Sequence, residues 1–348
     1  MKQKMAIFPA VSILTLILII SCGCKSLETT TTQYTYPVEA RGIPDPMDND
    51  YFCITTGPDG NMWFIEGNEN KIGKISPEDG EITEYNVPTF YARPSGITAG
   101  PDGNLWFTEY DANKIGKISP KNGKITEYNV PTPKGATAGP NDITAGPDGN
   151  LWFTESYGNN IGKISPKTNK ITLYPMPTVD AGSSNITAGP DGNLWFVEFP
   201  GTIGKISPTT GTITDYNVPT PNANPTAIIT GPDGNLWFIE NNGMKIGKIV
   251  PSTGISAEYS ITIGGGFPTS IVSGPDGNLW FTQQSANDIG KISPTTGVIT
   301  EYNVPDGSAG PVAITVGPDG NLWFTESNGN IGKISPMDGE IIEYPEPN

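Results

Sequence analysis

The pentapeptide Gly-Pro-Asp-Gly-Asn occurs seven times along the 348 residues, beginning at Gly57, Gly100, Gly146, Gly189, Gly231, Gly274 and Gly317. Successive copies stand 43, 46, 43, 42, 43 and 43 residues apart. Each is followed at one fixed offset by one of the chain's 7 Trp: Trp63, Trp106, Trp152, Trp195, Trp237, Trp280 and Trp323. A chain with such a period is a row of equal units, and no single unit of this size buries both its faces alone.

The unit from Ser95 to Val130 shows what each one builds. Ser95 to Ala99 reads as a short inner strand, A. Pro101-Asp102-Gly103-Asn104 supplies a tight turn, because Asp-Gly tolerates the positive φ that a hairpin demands. Leu105 to Glu109 is strand B and Lys114 to Ser119 strand C. Lys124 to Val130 alternates apolar and polar side chains as strand D, and Pro131 ends it because proline cannot donate to a ladder. Four strands per unit and seven units predict an all-β, seven-bladed β-propeller of four-stranded antiparallel blades spanning residues 34–348. The Trp stripe is then packing between blades. Seven D strands are present, ending with Glu340 to Tyr344, yet Gln33 to Val38 also has the pattern of a D strand and is a second candidate for closing the ring.

Composition agrees with many short strands and turns: 43 Gly and 34 Pro accompany abundant Ile, Thr, Tyr and Trp. The formal net charge of −16 argues against a nucleic-acid partner, which needs a concentrated basic surface. A cationic ligand, a divalent cation (Mg²⁺ or Ca²⁺) or solubility alone all fit the acidity.

Lys2 and Lys4 precede an apolar run from Ala6 to Ile20, followed by Ser21 and Cys22. The run has the length of a signal-peptide core and is short for a membrane span, which needs ~20 apolar residues. Ile19-Ile20-Ser21-Cys22 has the form of a lipobox, with residues 1–21 removed and Cys22 lipidated; an uncleaved anchor is the alternative. Residues 22–33 then form a lipidated polar tether, and membrane contact runs through the lipid anchor only. Either reading places the body outside the cytoplasm, and the first leaves it lipid-anchored to the cell envelope. Of 3 Cys only Cys53 lies in the body, so no disulfide framework supports the fold. The propeller is expected to be a monomer.

In a propeller the B–C and D–A loops share one face, and here that face carries the variation. Features present in every blade are read as scaffold, and features that break the symmetry as candidates for binding. Strand B ends in Glu66, Glu109, Glu155, Glu198, Glu240 and Glu326, with Gln283 in the sixth blade. A carboxylate ring could hold a cation, but the repetition favours a blade-to-blade hydrogen bond. The candidates for ligand contact are Tyr91 and Arg93, Tyr110 and Asp111, Tyr157, Phe199, Phe267 after Gly264-Gly265-Gly266, Gln283 and Gln284. Together they describe an aromatic-lined pocket with one cation and several acids, or ordinary variable loops.

Units such as Gly96 to Glu109, followed by Asn113 to Ile118 and Ile125 to Tyr128, resemble those of the streptogramin lyase (virginiamycin B lyase) family. The resemblance runs roughly from Tyr51 to Tyr344 and rests on scaffold residues. It implies a seven-bladed propeller. In that family the activity is the opening of cyclic depsipeptide antibiotics of the streptogramin B type, by elimination at an ester bond with a divalent metal. Elimination takes a base beside a carbonyl, commonly His. Where the family has a His opening strand A of the sixth blade, this chain has Thr269; where the family has Glu-Pro-His in the seventh, it has Gly310-Pro311-Val312. A further family Glu aligns with Ser327, beside Glu326. The sequence contains 0 His. The leading expectation is therefore a non-catalytic module binding a cell-surface protein, peptide or glycan. A lyase-like enzyme with Glu326 as its base, and a purely architectural spacer, are the alternatives.

Overall fold

The computed structural model describes residues 53–133, 137–178, 181–254, 256–261 and 266–345. The lipobox, Cys22, the tether, the 33–38 segment and Gly264-Gly265 lie outside them. The described residues form seven four-stranded antiparallel sheets, each in the order A-B-C-D. Blade 2 comprises A (Pro94–Ala99), B (Leu105–Glu109), C (Lys114–Ile118) and D (Ile125–Asn129). The A strands of successive blades pack side by side around a central channel, and that of blade 7 packs on that of blade 1. The D position of blade 7 is filled by Ile341–Tyr344.

Each turn motif is a small machine for seating its Trp. Asp102 Oδ1 accepts a bond from Trp106 Nε1 at 2.9 Å, and Asn104 Nδ2 donates to the other oxygen of Asp102. The indole passes so close to Gly100 that a Cβ there would lie 2.4 Å from its Cδ1. Tyr128 stacks on the ring at 5.7 Å and Lys117 Nζ lies over it at 5.1 Å. All seven Trp are fully buried. Trp106 packs outward with Ile115 and Val130 against Ile143, Leu151, Phe153 and Ile164 of blade 3, so the core is a set of seams between blades. The seam that closes the ring joins Ile54, Met62, Phe64 and Ile75 to Ala313, Trp323 and Ile331, with Thr56 Oγ1 donating to Val316 O at 2.6 Å.

Strand A begins one residue earlier than the alternation predicts, at Pro94, because a register shift separates the Pro94–Glu109 and Ile97–Phe107 pairs. The Gly96 N–H freed by this bulge donates to Thr108 Oγ1 of strand B at 2.8 Å; Thr154, Thr282 and Thr325 do the same for Asp142, Ser270 and Ala313. In blades 2 to 7 the bulge turns the residue before the Ile of strand A towards the channel, and blade 1, whose strand A shows no register shift, places Cys53 there as well.

Candidate functional site

That collar of residues lines a cavity of about 220 Å³ on the channel axis, with Cys53, Gly96, Asp142, Asn185, Ala227, Ser270 and Ala313 around it. Asp142 is the one carboxylate in the lining. Its Oδ2 accepts Asn185 Nδ2 at 2.6 Å and the Ile186 N–H at 3.0 Å. Asn185 passes the pattern on, its Oδ1 accepting the Ile228 N–H at 2.7 Å, and Ser270 Oγ accepts the Ile314 N–H at 3.3 Å. Gly96 leaves the space that Asp142 uses, since a Cβ on it would lie 2.8 Å from Asp142 Cα. Burial pushes the Asp142 carboxyl up to about 6, against the pull of the Ile186 and Ile143 N–H groups. Burial and then the Asp142 charge push the Cys53 thiol up to about 12, so it stays protonated and unreactive. A cavity of this kind suits a small polar group or cation. The sequence signal for Asp142 is a break in symmetry on strand A and not in the loops.

Two family positions meet at this cavity. Thr269 and Val312 both line it, and Thr269 Oγ1 donates to Val312 O at 2.7 Å while sharing a 2.8 Å bond with Thr282 Oγ1. Ser327 Oγ donates to Ala309 O at 3.0 Å. A hydroxyl already committed to a carbonyl and an isopropyl group offer neither a base nor a nitrogen ligand. The donor set at these positions does not fit the family's divalent metal, and among the described residues no group of three His, Cys, Asp or Glu converges on one point. Glu326, expected as the substitute base, is fully buried and stands off the cavity lining. Burial, with Glu343 adding to it, pushes its carboxyl up to about 7.

The loop candidates divide. Arg93, Tyr110 and Tyr157 come together between blades 2 and 3, with the Arg93 guanidinium 5.6 Å from the Tyr110 ring centroid and the two Tyr rings edge to face at 5.8 Å. Burial, and then the bond to Tyr157, push the Tyr110 hydroxyl up to about 12. Phe90 and Tyr91 pack on each other at 4.1 Å and are 78% and 57% exposed. Asp111 is exposed on the same loop as Tyr110. Phe199 belongs to another sector, against Gly182, and Phe267, half exposed, and Gln284, beside Gly310, to a third. Gln283 is fully buried and donates to Glu301 Oε1 at 2.9 Å, so it is scaffold and offers nothing to a ligand. The nine candidates therefore do not line a common pocket.

The expected blade-to-blade bond of the strand-B Glu residues belongs instead to the acids of strand D. Glu127 accepts the Thr89 N–H and hydroxyl, both at 2.9 Å, from the loop leaving blade 1; Glu258 does so with Thr220, and Asp215 accepts Thr178 Oγ1 at 3.3 Å. The strand-B carboxyls lie beneath these, fully buried, and burial holds Glu109 at about 8 and Glu198 and Glu240 at about 7. Glu109 thus keeps its proton at neutral pH and directs it to Glu127, whose carboxylate Lys114 holds at 3.0 Å. A further set was missed by sequence reasoning. Asn70, Asn113, Asn159 and Asn287 end the B–C loops at positive φ, and their amides grip the following D–A loop. Their signal is an Asn two positions before the Ile of the Ile-Gly-Lys in strand C.

A family model described as the virginiamycin B lyase family matches residues 26–210 and 137–348. No curated protein matches the chain. Selenomethionine-substituted virginiamycin B lyase from Staphylococcus aureus is 40% identical over 83% of this chain and 95% of its own, with a TM-score of 0.76. A catalytically inactive His-to-Ala virginiamycin B lyase from the same organism, with quinupristin, is 39% identical over 82% of this chain and 96% of its own, with a TM-score of 0.75. Hydrazine synthase of Kuenenia stuttgartiensis, at 15% identity over 86% of this chain and 99% of its own and a TM-score of 0.70, shares the fold alone. The family model covers most of the chain and the solved lyases match it at about 40% identity over more than four fifths of its length, so the chain belongs to the virginiamycin B lyase family.

Proposed function

We propose that the protein is a lipid-anchored, extracytoplasmic member of this family that binds a peptide, glycan or cell-surface protein on its loop face without catalysing elimination. The observation that carries this reading is the 0 His of the sequence, together with Thr269 and Val312 standing side by side where the family places histidines. Neither the Thr269 hydroxyl nor the Val312 isopropyl group can act as a base near neutrality, and the carboxylate of the cavity, Asp142, is engaged by Asn185 Nδ2 and the Ile186 N–H. The Arg93–Tyr110–Tyr157 cluster, with Tyr91 nearby, supplies the amphipathic rings and fixed charge that binding surfaces favour.

Two measurements test this. Incubated with a streptogramin B-type depsipeptide and Mg²⁺, the protein is expected to leave the ring intact by mass spectrometry. A ring-opened product of unchanged mass would restore the lyase reading and direct attention to Asp142, the carboxylate in the cavity. In fractionated cells the protein is expected in the membrane pellet, and Cys22→Ala is expected to move it to the soluble fraction or leave an unprocessed precursor. A processed Cys22→Ala protein that stays membrane-bound would sink the lipid anchor.

A further inference from the structure

The last residue of strand B, the first of strand C and the acid of strand D occupy one face at the loop end of every sheet, and their chemistry differs from blade to blade. In blades 1, 2 and 5 the strand-C residue is a lysine: Lys71, Lys114 and Lys245 reach Glu84, Glu127 and Glu258 at 3.0, 3.0 and 2.6 Å. Blade 3 drops the second acid for Leu173, and Asn160 Nδ2 donates to Glu155 at 2.8 Å. In blade 6 Gln283 replaces the first acid and donates to the second. In blade 7 the amides of Asn328 and Asn330 face Glu326 and lower its pKa against burial.

Blade 4 keeps both acids, Glu198 and Asp215, and puts Thr202 where the lysine stands. The register is unchanged: Glu198 pairs with Thr202, Thr202 with Asn217, and Asp215 lies two residues along the same strand and so on the same face. Glu198 is 0% exposed. Both its carboxyl oxygens, and Oδ1 of Asp215, are buried and accept no hydrogen bond among the described residues, as is also true of Glu109, Glu240 and Glu326, while Asp215 Oδ2 accepts Thr178 Oγ1 at 3.3 Å. What sets blade 4 apart is the strand-C position: blades 1, 2 and 5 put a lysine ammonium beside the strand-D acid, blades 3, 6 and 7 put an amide beside one carboxyl, and blade 4 has the Thr202 hydroxyl alone. Thr202 and Asn217 share this face of the sheet with Glu198 and Asp215.

We propose that a calcium ion binds in blade 4 between Glu198 and Asp215, in the place that a lysine ammonium takes in blades 1, 2 and 5. Two carboxylates balance a divalent charge, and the Thr202 hydroxyl adds a third oxygen on the same face. Calcium accepts such hard, irregular oxygen sets with water completing the shell, whereas magnesium demands a near-ideal octahedron. Asp215 is half-buried, which gives the ion its way in. The proposal is independent of the loop-face reading above.

The test is equilibrium dialysis of the full chain, freed of metal, against radioactive calcium in physiological salt. One calcium per chain is expected, with a melting midpoint that rises on adding calcium. Glu198→Gln, the exchange already present at Gln283, is expected to weaken binding about tenfold or more. Thr202→Lys installs the ammonium of the sister blades; it is expected to fold, to bind no calcium and to melt at a temperature calcium no longer moves. The proposal is overturned if the parent shows no saturable calcium, or if Thr202→Lys binds as the parent does.

Discussion

Replacing Gly116 with Ala is expected to destabilise the protein by about 3 kcal/mol, the upper part of the range for overpacking a filled core. An ideal Cβ on Gly116 would lie 2.1 Å from Cζ of Phe107, the residue opposite it across strands B and C. Phe107 has no room to retreat: it is 0% exposed and wedged among Trp63, Ile72, Ile97, Leu105 and Ile118. The same clash, at 2.0 to 2.3 Å, recurs at Gly73, Gly162, Gly204, Gly247, Gly290 and Gly332, so the bare strand-C backbone is a requirement of every blade. Gly103→Ala is the informative control. That residue sits at φ +74° with nothing within 4 Å, so only the left-handed strain of roughly 1 kcal/mol is lost. At about 2–4 °C per kcal/mol the Gly116 variant should melt roughly 5–10 °C below the parent. Equal melting of the two variants would show that the Phe107 ring yields.

Stability is expected to fall as pH rises from about 5 to 8.5, the reverse of the usual carboxylate behaviour. In the unfolded chain Glu109, Glu240 and Glu326 lose their protons near 4.5; in the folded chain burial holds them to about 8, 7 and 7. Between those values the folded state binds more protons than the unfolded one, so stability declines with pH and levels off above about 8. Each pKa unit corresponds to about 1.4 kcal/mol. At an effective interior dielectric of about 20 the loss is on the order of 2 kcal/mol per site. At the acid end Glu127 and Glu258 are lowered and Asp233 is held at about 2, so their contribution is lost below about pH 4. The maximum therefore falls near pH 4 to 5. Glu109→Gln should abolish its share, since an amide can donate to Glu127 as Gln283 does to Glu301 at 2.9 Å. It is expected to stabilise the fold at pH 8.5 and to be near neutral at pH 5, measured by denaturant titration. A profile flat between the two, or equal destabilisation at both, would refute the protonated pair.

The repeat announced the architecture because the Trp, its Asp and its Gly are local: all three lie within seven residues, and the Asp102–Trp106 bond spans four. Strand limits such as Leu105–Glu109 could be read directly for the same reason. What stayed hidden depends on contacts between blades. The bond from Thr89 to Glu127 joins residues 38 apart, and that from Asn185 to Asp142 residues 43 apart. Nothing in either segment alone says which strand supplies the partner, so the repeated strand-B Glu points to the wrong carboxylate for the clamp and Asp142 carries no mark of its role. The bulge at Pro94 was invisible for a different reason: an alternating pattern cannot display an extra residue until its register partner is known. The Arg93–Tyr110–Tyr157 grouping was legible in part, because those loops are neighbours in the ring. Placing Phe199 and Phe267 with them ignored the angle each blade adds.

All four strands of every blade are contiguous in the chain, including blade 1 and blade 7, whose common seam is made by side-chain packing and one Thr56–Val316 hydrogen bond. The ring therefore has no privileged starting point written into its sheets. A gene rearranged to begin in the loop between Asn303 and Pro311 would encode the same seven complete sheets. For the same reason whole blades can be copied or exchanged in frame between such proteins, each carrying its own Trp, turn and carboxyl pair.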